Sequence, residues 1–374
     1  MMMQIHSHYK KLTLLFMLVI AVILIAFTGK APFYTDPYKL EYPHYFGNRI
    51  SIPENNPTTK QGVYLGRMLF YETRLSSSRK ISCGSCHQQK LSFTDGKTFS
   101  SGIDNVPTKR NSMSLANLLW VRNFFWDGRA KGLEAQAIIP LNDPHEMGAY
   151  LEKAIKELQQ TKVYPALFRN AFGTTEVTAD RIAKAIAQFE RTLISANSSY
   201  DKYLRGEYKP TEQELNGMEL FMNSAEPNKN IRGASCAQCH GTPKMYMELF
   251  HNNGLDSIPK DIGREGLTGM PNDRGRFRVV TLRNIAVTSP YMHDGRFKNL
   301  EEVLDHYNEH IQPSKTLSVV LKNRPNDPEG KNLGLTAKEK SNIISFLKML
   351  TDTTFISNPK FSNPHLSRKQ ISKL

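Results

Sequence analysis

The sequence predicts a mainly α-helical protein of two lobes related by internal duplication, with long loops and few strands. Three observations lead there. Apolar residues recur at helical spacing, as in "TADRIAKAIAQFERTL", where Ile182, Ile186, Phe189 and Leu193 share one face. Alternating strand patterns are scarce. Finally, "SLANLLWVRNFFWDGRAKGLEAQA" is mirrored by "TLRNIAVTSPYMHDGRFKNLEEVL". Asn117 and Asn284, Asp127 and Asp294, and Leu133 and Leu300 are all 167 positions apart, a constant offset that argues for duplication over chance.

Taken in chain order, residues 1–29 hold a sixteen-residue run from Leu12 to Phe27, apolar but for Thr13, behind Lys10 and Lys11. That length falls between a signal-peptide core and a full membrane span. "FTGKAP" lacks a clean small-residue cleavage pattern, so an uncleaved anchor with its cationic end in the cytoplasm is favoured over a cleaved signal. Either way the remaining chain is exported. Residues 30–58, rich in Pro, Tyr and Asn, read as a linker. A first lobe follows over 59–200 and a second over 201–352, and 374 residues suffice for both with a sizeable core. Each lobe opens on a short amphipathic helix (Leu65, Met68 and Leu69; Leu215, Met218, Phe221 and Met222), then a polar loop. The second lobe closes on "TAKEKSNIISFLKML", which starts with a Thr336-x-x-Glu339 capping box and runs through Ile343, Ile344, Phe346, Leu347 and Leu350. Residues 353–374 read as a loose basic tail. The net charge is +14. Its Lys and Arg are spread along the chain without interleaved aromatics, which reads as a solvated basic surface and argues against a nucleic-acid partner.

The four cysteines all fall in "CGSCH" (83–87) and "CAQCH" (236–240), one motif per lobe. C-x-x-C-H is the c-type haem attachment pattern. Cys83 and Cys86, and likewise Cys236 and Cys239, form thioethers to one haem, and His87 or His240 reaches the iron. A zinc site would need the two pairs to converge and would leave both histidines redundant. A redox pair does not require His after the second Cys, twice. A structural disulfide is the remaining reading. Export supports haem, because c-type haem is attached outside the cytoplasm. Each lobe is then a c-type cytochrome enclosing one covalent haem.

These motifs, with "RNSMSLANLLWVRNFFWDGRAKGLEAQA", "NDPHEMG" and "LRNIAVTSPYMHDGRFKNLEEVLDHY", resemble the bacterial diheme cytochrome c peroxidase and MauG superfamily over roughly residues 59–352. The resemblance implies a peroxidatic haem at His87 and an electron-transfer haem at His240. It implies that Trp126 lies between them and passes electrons, and that Gln136 and Glu146 form the peroxide pocket. It further implies one calcium ion held by Asn111, Thr288 and Pro290, the last two through backbone carbonyls. Hydrogen peroxide would be the substrate. A small cytochrome c or cupredoxin, or a quinone-pool-linked donor, would supply electrons at the periplasmic face of the bacterial inner membrane; family members often form homodimers. Without the resemblance, Glu146 would read as a surface carboxylate, Trp126 as core and Asn111 as a turn residue.

Two departures from the usual peroxidase pattern stand out. In many family members a histidine after the first haem motif caps the peroxidatic iron until the other haem is reduced. Here no histidine occurs between His87 and His145, which predicts an open, high-spin first haem that needs no reductive activation. At the second haem, Tyr307 stands where the typical peroxidase has Met, as in MauG; Met292 is the alternative ligand, and a packing tyrosine the plain reading. Adding 167 to Pro140 gives Tyr307, so the first lobe has a non-ligating residue at that position. MauG oxidises tryptophans of a partner protein through a bis-ferryl state. The alternatives to a peroxidase are thus a MauG-like oxidase or a simple diheme electron carrier.

Overall fold

The computed structural model describes residues 35–322, 325–327 and 332–366. Contacts divide the chain into Met1–Asp36 and Pro37–Leu374, and all elements below belong to the second unit. The apolar run 12–27 and the last eight residues lie outside the described part. No helix among the described residues is long and apolar enough to cross a membrane.

The α-helices are α1 (Lys60–Phe70), α2 (Cys83–Cys86), α3 (Leu133–Asn142), α4 (Leu151–Gln159), α5 (Val163–Phe172), α6 (Ala179–Glu190), α7 (Ser199–Leu204), α8 (Glu212–Met222), α9 (Glu265–Thr268), α10 (Leu300–Glu309), α11 (Ala337–Met349) and α12 (Thr353–Ser357). The strands are two-residue antiparallel pairs: β1 (Asn123–Phe124) with β2 (Ala130–Lys131), and β3 (Phe250–His251) with β4 (Phe277–Arg278). The mainly helical expectation therefore holds.

Local chemistry sets the helix starts. The Thr59 hydroxyl accepts from Gly62 N at the head of α1, and Thr178 accepts from Arg181 N at the head of α6. Full capping boxes open α8 (Thr211 with Glu214) and α11 (Thr336 with Glu339). These four helices pack in two pairs, α1 on α6 and α8 on α11. Each pair approaches closely at a glycine: a Cβ on Gly66 would lie 1.9 Å from the Ala185 carbonyl oxygen, and one on Gly217 would lie 1.9 Å from that of Asn342. Because backbone oxygens cannot swing aside, Gly66→Ala and Gly217→Ala should each cost about 1–3 kcal/mol, as overpacking does. Urea unfolding checks this; a midpoint equal to wild type would contradict the close approach.

Two apolar cores result. One gathers Leu65, Leu69, Phe70, Ile186 and Phe189; the other gathers Leu220, Phe221, Ile343, Phe346 and Leu350. On α8, Gly217, Leu220 and Phe221 are buried, and Met218 and Met222 pack half-buried against the same core, as their spacing predicts, whereas Leu215 is not among the core residues. The glycine has no side chain to signal its burial in the sequence.

The offset of 167 recurs in backbone geometry. The 3₁₀ turns Leu118–Trp120 and Ile285–Val287 are so related, as are α3 and α10. The Phe124–Ala130 pairing corresponds to the Tyr291–Phe297 bridge. Asn117 and Asn284 both adopt the left-handed region, at φ 62°. Each then latches the chain just past a helix: Asn117 Oδ1 accepts from Ser195 N, beyond α6, and Asn284 Oδ1 accepts from Asp352 N, beyond α11.

In the described parts of both flanking segments, aromatic side chains reach the core. Phe46 is buried and meets Trp120 edge-on with ring centroids 5.2 Å apart. At the other end, Phe355 and Phe361 enter the first core, and the Tyr71 hydroxyl donates to Phe361 O at 2.7 Å. Isolated aromatics in polar surroundings carry no periodic signal, yet each buries enough apolar surface to pin its segment.

Candidate active site

At the first C-x-x-C-H, Ser82 and Ser85 cap the single turn of α2, and His87 N closes it onto Cys83 O at 2.9 Å. His87 Nδ1 lies 2.7 Å from Phe93 O. A carbonyl only accepts, so Nδ1 carries the proton and Nε2 keeps a free lone pair. Burial pushes the His87 pKa down, which keeps the ring neutral and fit for a metal. The second motif repeats this: His240 N reaches Cys236 O at 2.9 Å, Nδ1 lies 3.2 Å from Val280 O, and burial pushes the ring down to about 4.

All four thiols are unbridged. Burial pushes Cys83 up to about 12, Cys86 to about 11 and Cys236 to about 12. That is the reverse of the lowered pKa that a redox-active pair needs. Among the described residues no three His, Cys, Asp or Glu side chains converge as a metal-holding group, so the two pairs do not make one zinc site.

A cavity of about 640 Å³ opens at the second motif, walled by Cys236, Cys239, His240, Trp126, Met292 and Tyr307. This is the size of a cofactor site. Arg278 also lines it. The residue is only 6% exposed and its Nε has no hydrogen-bond partner among the described residues. Its Nη2 lies against Met113 Sδ at 3.9 Å, which also accounts for the Met113 sulfur. Burial pushes the guanidinium down to about 10. The Glu248 carboxylate acts on it electrostatically, but no ion pair closes on it among the described residues. A buried cation without a paired anion is costly, and a haem, with its two carboxylates, would supply one. The donor set, the cavity and this orphaned cation fit haem c at the second motif.

Tyr307 and Met292 meet at one amide. Asn253 Nδ2 lies 3.4 Å from the Tyr307 hydroxyl and 3.3 Å from Met292 Sδ. Burial pushes the Tyr307 phenol up to about 12. Trp126 spans the first lobe and the cavity: its Nε1 donates to Asn111 O at 2.9 Å, and its carbonyl accepts from Arg278 N at 2.7 Å. The Trp126 ring stands edge-on to His293 at 6.4 Å. Asn111, Thr288 and Pro290 line the same cavity, and the Asn111 side chain donates to Lys97 O at 2.8 Å.

Gln136 and Glu146 do not line this cavity. Gln136 sits on α3 with its Oε1 buried and without a partner among the described residues. Glu146 follows α3; burial raises its pKa, Asp143 adds to this, and Arg129 opposes it. The Glu146 carboxylate contributes to raising both Cys83 and Cys86, behind burial and other charges. Pro140, also on α3, carries no ligating atom. Sequence reasoning missed Arg278, Asn253 and Glu190. The last is 4% exposed and is pushed by burial up to about 8. Only the charge of Arg278 inside the otherwise apolar "FRVV" offered any signal.

The profile described as "Di-haem cytochrome c peroxidase" matches residues 60–209. Methylamine utilization protein MauG of Methylorubrum extorquens is 35% identical over 308 residues, covering 80% of this chain and 81% of that protein. Cytochrome c551 peroxidase of Nitrosomonas europaea is 37% identical over 322 residues, covering 83% and 84%. The crystal structure of a MauG-like protein associated with microbial copper homeostasis superposes with a TM-score of 0.78 at 34% identity, covering 87% of this chain and 99% of that one.

Proposed function

Because the chain belongs to the di-haem cytochrome c peroxidase family, we propose that it reduces hydrogen peroxide to water with electrons from an external donor. The observation that carries this is the asymmetry between α3 and α10. At equivalent positions α3 has Pro140, whose side chain has nothing to offer a metal, and α10 has the half-buried Tyr307, whose phenol faces the cavity at the second motif. One lobe keeps an iron position open and the other fills it. The two lobes are read as 59–200 and 201–352 of one duplicated fold, which the recurring offset supports.

When bound, haem c supplies the redox-active iron at each motif. His87 and His240 would hold it through Nε2, and the four cysteines would attach it. Arg278 would pair with a haem carboxylate, and Tyr307, with Met292 as the alternative, would fill the remaining position at the second iron. In the first lobe the Glu146 carboxylate takes a proton from one peroxide oxygen and returns it to the other. Gln136 Oε1, buried and unbonded, accepts from the peroxide O–H and orients it. Trp126 lies on the path between the sites. Asn111, with the backbone carbonyls of Thr288 and Pro290, which line the same cavity, would offer oxygens to a calcium ion. Two electrons and two protons per peroxide balance the formation of two waters. The donor is a small c-type cytochrome or cupredoxin, or a quinone-pool-linked protein, on the periplasmic side. The run 12–27 tethers the enzyme there.

Electron paramagnetic resonance of the as-isolated protein, paired with turnover of a reduced cytochrome by peroxide, tests the reading. A high-spin ferric signal and turnover without prior reduction are expected. Two low-spin signals and no turnover would leave an electron carrier instead. A long-lived oxidised state that reduced cytochrome barely discharges would favour the MauG-type reaction.

A further inference from the structure

Asn253 follows β3 in a loop that both of its neighbours anchor. Asn252 Nδ2 donates to Ser314 Oγ at 3.2 Å and to Thr316 Oγ1 at 2.9 Å, and its Oδ1 accepts from Gly254 N at 2.9 Å. The Asn253 carbonyl lies 3.0 Å from His306 Nε2, one residue before Tyr307 on α10. The loop backbone is thus fixed against the helix that carries the candidate ligand. The Asn253 side chain lines the cavity at the second motif. Its single nitrogen carries two hydrogens and faces two rival ligands, Tyr307 Oη at 3.4 Å and Met292 Sδ at 3.3 Å.

We infer that Asn253 is a positioning residue that selects the axial ligand of the second haem, steadying the Tyr307 oxygen toward the iron and holding the Met292 sulfur aside. This rests on the reading that Tyr307 ligates. A primary amide nitrogen only donates, and an oxygen is a far better acceptor than a thioether sulfur. An oxygen bound to iron carries more negative charge, so the hydrogen bond from Asn253 strengthens in the ligated state. The contact to Met292 is the weaker of the two, yet it ties the sulfur to the same nitrogen. Without that donor the two ligands compete on their own affinity for iron, and sulfur gains.

The test uses Asn253→Leu, which removes the donor, and Asn253→Asp, which keeps the shape but offers acceptors only. The holoprotein is read by electron paramagnetic resonance, near-infrared magnetic circular dichroism and redox titration of the second haem. Both variants should lose the oxygen-ligand signature in most molecules, gain that of sulfur, and shift the potential upward. Adding Met292→Leu to Asn253→Leu should abolish the new sulfur signature. If Tyr307→Phe alters the spectrum while both Asn253 variants match wild type, Tyr307 ligates without selection by Asn253, and the inference is overturned. If Tyr307→Phe itself leaves the spectrum unchanged, the ligand reading fails and takes the inference with it.

Discussion

Replacing Glu146 by Gln should lower peroxide turnover by about 10²–10⁴-fold, the range that a positioned acid–base group contributes. Haem content and the spectrum of the second haem should remain as in wild type. Glutamine keeps the shape and the hydrogen-bonding reach of glutamate, so the loss reports the proton and not the packing. Burial raises the Glu146 pKa, with Asp143 adding and Arg129 opposing, and this fixes the sign of the pH dependence. The group must be ionised to take the first proton. The wild-type rate should therefore fall as the pH drops through a value above the ordinary carboxylate range, and the Gln variant should lack that limb. Stopped-flow peroxide consumption across pH measures both. An unchanged rate in the variant would remove Glu146 from the mechanism.

Replacing Tyr307 by Phe should raise the reduction potential of the second haem and exchange its oxygen-ligand spectrum for a sulfur or open one. Anionic oxygen favours ferric iron, whereas thioether sulfur favours ferrous. Axial ligation and its surroundings span roughly 0.8 V among haem proteins, so the change is well within reach of a redox titration. Met292 Sδ lies beside the same amide as the phenol oxygen and is the sulfur in place to take over. The packing cost is small, because Phe retains the ring and only a 3.4 Å contact to Asn253 is lost. An unchanged potential would make Tyr307 a packing residue.

Much of this site was legible because its signals are local. Two thiols one turn apart with His next to the second are readable from spacing alone, and the structure adds the Nδ1 acceptor that frees each Nε2. The capping boxes at Thr336 and at Thr211, and the buried face of α11, follow from residues within one or two turns. The offset of 167 needs only comparison of the chain with itself. Within the segments read as linker (30–58) and tail (353–374), the burial of Phe46, Phe355 and Phe361 is not legible, because core residues that they join lie far along the chain.

The sequence by itself therefore determined the helical class, the two haem-attachment motifs and the contrast between Pro140 and Tyr307, since spacing, caps and repeats are written within short windows. Only the tertiary structure decided that Tyr307 and Met292 converge on Asn253, that Arg278 is a buried cation with no ion-pair partner among the described residues, and that the Gln136 oxygen has no hydrogen-bond partner among them. Those facts depend on which distant segments pack together. Burial and partnership are properties of the packed chain, and no periodicity along the sequence encodes them.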